Sequence, residues 1–364
     1  MRLSVFSLVL IVLVFTGCNV SSTNAIPAAN QQVGPETGLL TSTLPSTKVW
    51  MPGRPTLPYG TTDVSVAQLS SGSVVKTLHF DLNSGLIVTS PDQHHVYVPA
   101  TLSGTLYVFD VNAATYSTRR IAISTQPYAR VGAMNVSPDG RSLYVQSNNR
   151  IYGISTVSWA ITRSASISVA TCACSHASAI SADGRTLFFP TVTGVEAIDA
   201  ITFAVKDRAD LPAGAHVSTL AMRSDTSDLL YGIEGTYPFG YFDAWSSSSL
   251  SLMHRIPIQG APNDMDIDTT LKRAYITAAS NVLLGPGPLP VYVINLDTNG
   301  MKILFPDVPA SNVSVDRITH TVFLGNESAW GYGFTTVDPT TFSMHFYYGV
   351  MPGAESPAGL TTTN

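Results

Sequence analysis

An all-β fold, a β-propeller of seven four-stranded antiparallel blades, is predicted by three features of the sequence. Aromatic residues recur at Trp50, Tyr97, Tyr144, Phe188, Tyr231, Tyr275 and Phe323, separated by 43 to 48 positions by subtraction. Each lies in a short apolar run, and each is followed by a turn and a second such run. A fixed period in the forties with about four strands per period is how a ring of blades appears in sequence. The third feature is the pair of ends. Blade 1 has a second strand at Lys48-Val-Trp-Met51 but no first strand before it, whereas Gly359-Leu360 aligns with Gly85-Leu86, the start of a first strand. The C-terminal strand is therefore expected to pair with blade 1 and close the ring, removing two sheet edges open to aggregation.

Residues 1–17 read as a signal peptide. Arg2 supplies a positive start, and the apolar run from Leu3 to Phe15 is too short for an ordinary membrane span. The run ends in Phe15-Thr16-Gly17-Cys18, which resembles the lipobox of bacterial lipoproteins, with Phe15 where Leu, Val or Ile is usual. The resemblance implies that Cys18 becomes the lipidated N-terminus, and several acyl chains anchor stably where one does not. A plain secretory signal with an incidental cysteine is the alternative. Asn19, rather than Asp, follows the cysteine. By resemblance to enterobacterial sorting, that favours the outer membrane, on its periplasmic or surface face. Residues 18–45 then form the lipidated cysteine and a flexible tether. Beyond Cys18 they are rich in Ser, Thr, Asn, Gln, Ala and Pro and lack aromatics, so they cannot bury enough apolar surface to fold alone.

Residues 46–364 are assigned to the propeller. In blade 2, strand A is read at 85–90, B at 95–98, C at 105–110 and D at 117–124, from β-branched content and alternation, with Pro, Asp, Asn and Gly marking the turns. The next blades repeat the plan. Asn135-Val-Ser-Pro-Asp-Gly140 leads into Ser142-Leu-Tyr-Val145, and Ile180-Ser-Ala-Asp-Gly184 leads into Thr186-Leu-Phe-Phe189. These stretches resemble the YVTN-type β-propeller family, strongly in blades 2 to 4. The match is degraded in blades 5 to 7, where Ser224-Asp225-Thr226, Asp268-Thr269-Thr270 and Asp316-Arg317-Ile318 replace the turn. Asp110, Asp199, Asp243, Asp297 and Asp338 follow strand C and are read as caps of the C–D turn.

Strand A lines the channel of such a ring. A–B and C–D turns fall on one face, and B–C and D–A loops on the other. The A–B turns are short and regular, as on a structural face. The B–C loops are minimal in blades 2 to 4 and longer and apolar in blades 5, 6, 7 and 1, which are consecutive in a closed ring. They carry Tyr237, Phe239, Tyr241, Trp330, Tyr332 and Tyr59. An exposed arc of this kind is expected to bind an envelope protein or a glycan. The alternative is that the loops fold over one another and cap the channel.

Cys172, Cys174 and His176 lie in the loop before blade 4. Two sulfurs and an imidazole suit Cu or Zn, with His216 or Met222 as a further ligand. A Cys172–Cys174 disulfide and free thiols are the competing readings. The Asp264, Asp266, Asp268 run enters blade 6 and is read as loop capping rather than a channel metal site, although alternation could turn Asp264 and Asp266 into the channel. His79, His254 and His345 fall on outer strands, and His94, His95 and His320 in turns, all read as structural or solvated.

The net charge of −5 and the absence of any Lys/Arg cluster exclude non-specific nucleic-acid binding. No G-x-S-x-G elbow occurs. The leading expectation is an envelope-tethered binding or scaffold module without enzymatic activity. A metal-handling or redox propeller and a lactonase-like hydrolase are the alternatives. The last follows from the family resemblance alone, and the expected loop-face mouth offers few cations beyond Arg54 and Arg130.

Overall fold

The computed structural model describes residues 47–363, apart from 53–61, 81–86, 101–103, 111–115, 117, 124–130, 168–177, 192, 224, 226–227, 237–238, 279–288, 307–308, 327–332 and 349–360. The described residues form seven four-stranded antiparallel sheets. In each, strands A to D follow one another from the axis outward. Blade 2 runs Val88–Thr89, His95–Ala100, Thr105–Asp110 and Thr118–Ala122, close to its expected bounds. Blade 1 takes its strand A from the far end of the chain. Thr361–Thr363 pairs with Lys48–Pro52, with Trp50 opposite Thr361. The inner strands of successive blades touch all the way round.

Burial follows position in the blade. Strands B and C lie between two neighbouring blades, so both their faces are covered and they read as continuous apolar runs. Thr186–Pro190 of blade 4 is buried beyond its first residue. Strand D is the free edge, and Val205–Asp210 of the same blade is exposed at alternate positions and carries Lys206, Asp207 and Arg208. Charge on an edge strand opposes pairing with another chain. In blades 3, 5, 6 and 7 the pairing of strands A and B shifts by one residue near the start of strand A, a bulge that bends the strand locally.

The seven periodic aromatics are the centre of this packing, each no more than 4% exposed. They are held by a device at the C–D turns. Every C–D turn ends in a residue of positive φ: Gly72, Tyr116, Trp159, Phe203, Leu250, Asn299 and Phe342. Positive φ is uncommon for bulky residues. In five of the seven turns it turns an apolar side chain sideways onto the preceding blade, whereas Asn299 of blade 6 is exposed. Tyr116 meets Trp50 at 5.8 Å between ring centroids, Trp159 meets Tyr97 at 6.4 Å and Phe203 meets Tyr144 at 6.2 Å. Leu250 packs in one cluster with Phe188, and Phe342 packs against the cluster of Tyr275. At the closure the roles reverse. A Cβ on Gly72 would sit 2.7 Å from the Tyr347 ring of blade 7, which stacks on Phe334 at 4.6 Å.

Candidate functional site

A cavity of about 740 Å³ occupies the channel among the described residues. Its walls are strand A of blades 2 to 7, and it reaches Pro91, Gln93, Pro138, Ala182, Thr269, Thr270 and Arg317 in the A–B turns. The described site is therefore on the side that the regular turns had suggested to be structural only.

The chemistry at this mouth is set by the residue that follows strand A. In blades 2, 3 and 4 it is serine. Ser137 Oγ donates to Asp139 Oδ1 at 2.5 Å and accepts the Ser142 N–H at 2.9 Å. Ser90 repeats this with Asp92 and His95, and Ser181 with Asp183 and Thr186. The serine hydroxyl, then the Arg141 and Arg185 N–H groups, hold Asp139 and Asp183 below the usual carboxylate range. In blades 5, 6 and 7 the equivalent positions are Arg223, Asp268 and Asp316, each two residues past the strand A residue that pairs with the periodic aromatic. Asp268 Oδ1 accepts the Thr270 and Leu271 N–H groups at 2.9 Å, as the turn-capping reading required. Its second oxygen faces Nδ1 of His320 in blade 7 at 2.9 Å. Asp316 caps its own turn through Ile318 and Thr319, while its other oxygen is buried without a hydrogen-bond partner among the described residues. Arg223 reaches Asp225 at 2.6 Å and then Asp297 of blade 6 at 3.0 Å, with Lys272 on the same carboxylate at 2.9 Å. The hydrogen bond to Asp225 is the largest of the effects that push the Arg223 guanidinium above its usual range.

Asp264 and Asp266 are neither loop caps nor a vacant channel site. Each carboxylate joins two inner strands. Asp264 accepts the Met265 N–H at 2.9 Å and the Val313 N–H of blade 7 at 3.0 Å. Asp266 accepts those of Ile267 at 2.8 Å and Val315 at 2.7 Å. Arg317 Nη2 donates to Asp266 at 2.6 Å, and its Nη1 donates to the Ile267 carbonyl. Strand A has one edge without a sheet partner, so its N–H groups need acceptors, and these aspartates supply them.

The C–D aspartates divide. Asp199 caps Ile201 and Thr202, and Asp338 caps Thr340 and Thr341. Asp297 does not cap its turn, because Asn295 does so, freeing Asp297 for Arg223. Asp243 is a correction as well. It is fully buried inside strand C of blade 5, Phe239–Ser246, where it shares Arg255 with Glu234 at 2.8 and 2.5 Å.

Of the aromatic arc, Tyr241 is the residue whose side chain is described. It lies within strand C rather than in a loop, half-buried, with Arg255 4.6 Å above its ring. Blade 5 thus carries a long hairpin, with Thr236 opposite Phe239, instead of a long loop. The side chain of Phe239, and Tyr59, Tyr237, Trp330, Tyr332, Cys18, Cys172, Cys174 and His176, lie outside the described residues. His216 opens strand A of blade 5 beside Gly235, whereas Met222 ends that strand and lines the cavity. The two proposed extra ligands are therefore at opposite ends of one strand. Among the described residues no group of three or more His, Cys, Asp and Glu could hold a metal ion. His79, His254 and His345 are on outer strands as expected, while His320 is engaged by Asp268.

No protein-family model matches the chain, and no curated protein matches its sequence. Solved structures do match. A functionally unknown protein from Desulfotomaculum acetoxidans DSM 771 superposes with a TM-score of 0.63 at 8% identity, over 88% of this chain and 99% of that one. Hydrazine synthase of Kuenenia stuttgartiensis gives 0.58 at 15% identity, over 70% of this chain and 76% of that one. Likeness at these identities carries the propeller fold and no activity.

Proposed function

We propose that this propeller is an envelope-tethered binding module that captures a protein or glycan through the loop face of blades 5, 6, 7 and 1. The supporting observation is the uneven length of the B–C connections. In blade 3 strands B and C are joined by two residues, between Ser147 and Arg150. In blades 1, 6 and 7 the strands stop at Pro52, Ala278 and Asn326 and resume at Thr62, Val291 and Gly333. Blade 5 extends its hairpin instead, with eight-residue strands B and C. Because blade 1 packs on blade 7, these four blades are contiguous. Tyr59, Tyr237, Phe239, Trp330 and Tyr332 sit in or beside these connections, and aromatic anchors dominate many binding surfaces. Lipidation of Cys18 and the tether at 18–45 would present this face in the envelope.

The test is capture by the full chain of proteins and cell-wall glycans from its own envelope. The combined change Tyr237→Ala, Phe239→Ala and Trp330→Ala is expected to abolish capture while the thermal transition stays within a few degrees. Retained capture refutes the loop face. Cys18→Ser is expected to release the protein from the membrane fraction.

A further inference from the structure

The channel mouth on the A–B side is left unused by a partner on the loop face. Its chemistry is divided in two. In blades 2, 3 and 4 the second turn position is Pro91, Pro138 and Ala182, small apolar residues that continue the wall formed by Val88, Val136 and Ile180. In blades 5 to 7 the lining carries Arg223, Asp266, Asp268 and Arg317, two guanidiniums and two carboxylates whose formal charges cancel. Arg223 is only 7% exposed and is engaged by two carboxylates of its own. Arg317 is different: its side chain is 55% exposed and that of its partner Asp266 is 20% exposed.

An accessible guanidinium–carboxylate pair offers N–H donors and carboxylate acceptors side by side. A charged ligand gains from one member and is repelled by the other. A hydroxyl group, which both donates and accepts, can satisfy either member without net charge. The opposite wall carries no charge: it offers apolar contact at Pro91, Pro138 and Ala182 and uncharged polar groups at Gln93, Asn135 and Ser178, and the cavity of 740 Å³ lies within the range of about 300–1,000 Å³ usual for small-ligand sites. The ligand that combines several hydroxyls, apolar C–H faces and no charge is a saccharide. We infer that the A–B mouth binds a short neutral saccharide, with its C–H faces against Pro91, Pro138 and Ala182 and its hydroxyls on the Arg317–Asp266 pair. The saccharide is either a free oligosaccharide or the exposed end of a polymer. This site is independent of the loop-face partner, because it lies at the other end of the channel.

The full chain is titrated by calorimetry with cellotriose, maltotriose, mannotriose and chitotriose, and with anionic trigalacturonate. At least one neutral trisaccharide is expected to bind, and trigalacturonate to bind more weakly than it. Ala182→Trp, which fills the apolar side away from the blade 6–7 contacts, is expected to weaken binding at least tenfold without lowering the melting temperature. Arg317→Met is expected to weaken it similarly, and Arg317→Lys by less. The combined Tyr237, Phe239 and Trp330 variant is expected to bind as the parent does, so this test and that of the loop face fail separately. Competition by the matching polymer assigns the ligand to a chain end, and absence of competition assigns it to a free sugar. Three outcomes overturn the inference: no neutral trisaccharide binding up to ~10 mM, a regime of only a few kcal/mol; unchanged affinity in Ala182→Trp; or preference for trigalacturonate.

Discussion

Blades 2–4 and blades 5–7 build the same four strands and differ where strand A turns into strand B. In blades 2–4 the turn is closed within the blade, serine to aspartate to backbone, and neighbours meet largely through apolar contacts such as Tyr97 with Trp159. In blades 5–7 the polar groups point sideways. Arg223 reaches Asp297, Asp264 and Asp266 reach the backbone of blade 7, and Asp268 reaches His320. The regular turn motif is thus lost where its residues have been recruited to join blades. The same recruitment places charge on one side of the channel mouth and leaves the other side uncharged.

The most severe way to break this comparison is to remove the closure on which both halves depend. Deleting residues 357–364 takes away the strand paired with Lys48–Trp50 and is expected to abolish the cooperative thermal transition of the whole ring. A truncated chain with the parental melting temperature would show that closure contributes nothing. Next in size is Phe203→Ala, which empties a 5%-exposed site between Tyr144 and its neighbours. Large-to-small changes of this kind cost about 3–5 kcal/mol, read as a fall in the urea midpoint at constant slope. If the loss were below about 1 kcal/mol, the turn aromatics would be incidental.

The direct test of the difference sets Asp266→Ala against Asp183→Ala. Asp266 serves two backbone donors on different blades and an arginine, so its loss is expected to cost about 2 kcal/mol or more. Asp183 serves its own turn, and its loss is expected to cost about 1 kcal/mol or less. Equal losses would remove the distinction between the halves. The smallest effect is Ser137→Ala, about 1 kcal/mol at neutral pH from a buried hydroxyl that accepts the Ser142 N–H. Part of this should depend on pH. The Asp139 pKa is lowered in the fold, most of all by Ser137, from an ordinary value of 3.8. A lowered carboxylate contributes stability above that value and loses it as pH falls through the folded pKa. The gap between parent and Ser137→Ala should therefore narrow below about pH 4, and a gap that widens on acidification would reverse the assignment.

Much of the fold was legible because its signals are local. Strand B is covered on both faces, so its aromatic recurs once per blade, and the Ser-x-Asp-Gly turns are complete within four residues. Other features were hidden for physical reasons. Tyr116, Trp159, Phe203 and Phe342 look like ordinary strand residues until their positive φ is known, although Asp199-Ala-Ile-Thr-Phe203 and Asp338-Pro-Thr-Thr-Phe342 repeat a readable pattern. The partners of Asp264 and Asp266 are backbone groups 49 residues away, which no spacing reveals. Tyr241 follows Pro238 and Gly240 and resembles loop sequence, yet cross-strand pairing carries strand C out to Phe239. The channel site escaped notice because its charged side is assembled from turns that, taken singly, only look irregular.

The pairing of Trp50 with Thr361 also has a consequence for assembly in time. Six blades can complete their sheets from neighbouring stretches of chain, whereas blade 1 must wait for a strand that follows the other six. Until then its inner edge is unpaired while the rest of the ring forms beside it. The entropic cost of joining such distant segments grows only slowly with their separation, and prior docking of the intervening blades brings the two ends within reach. Contacts of such long range favour slow folding, and an early blade with an open edge is exposed to pairing with another chain until the ring closes.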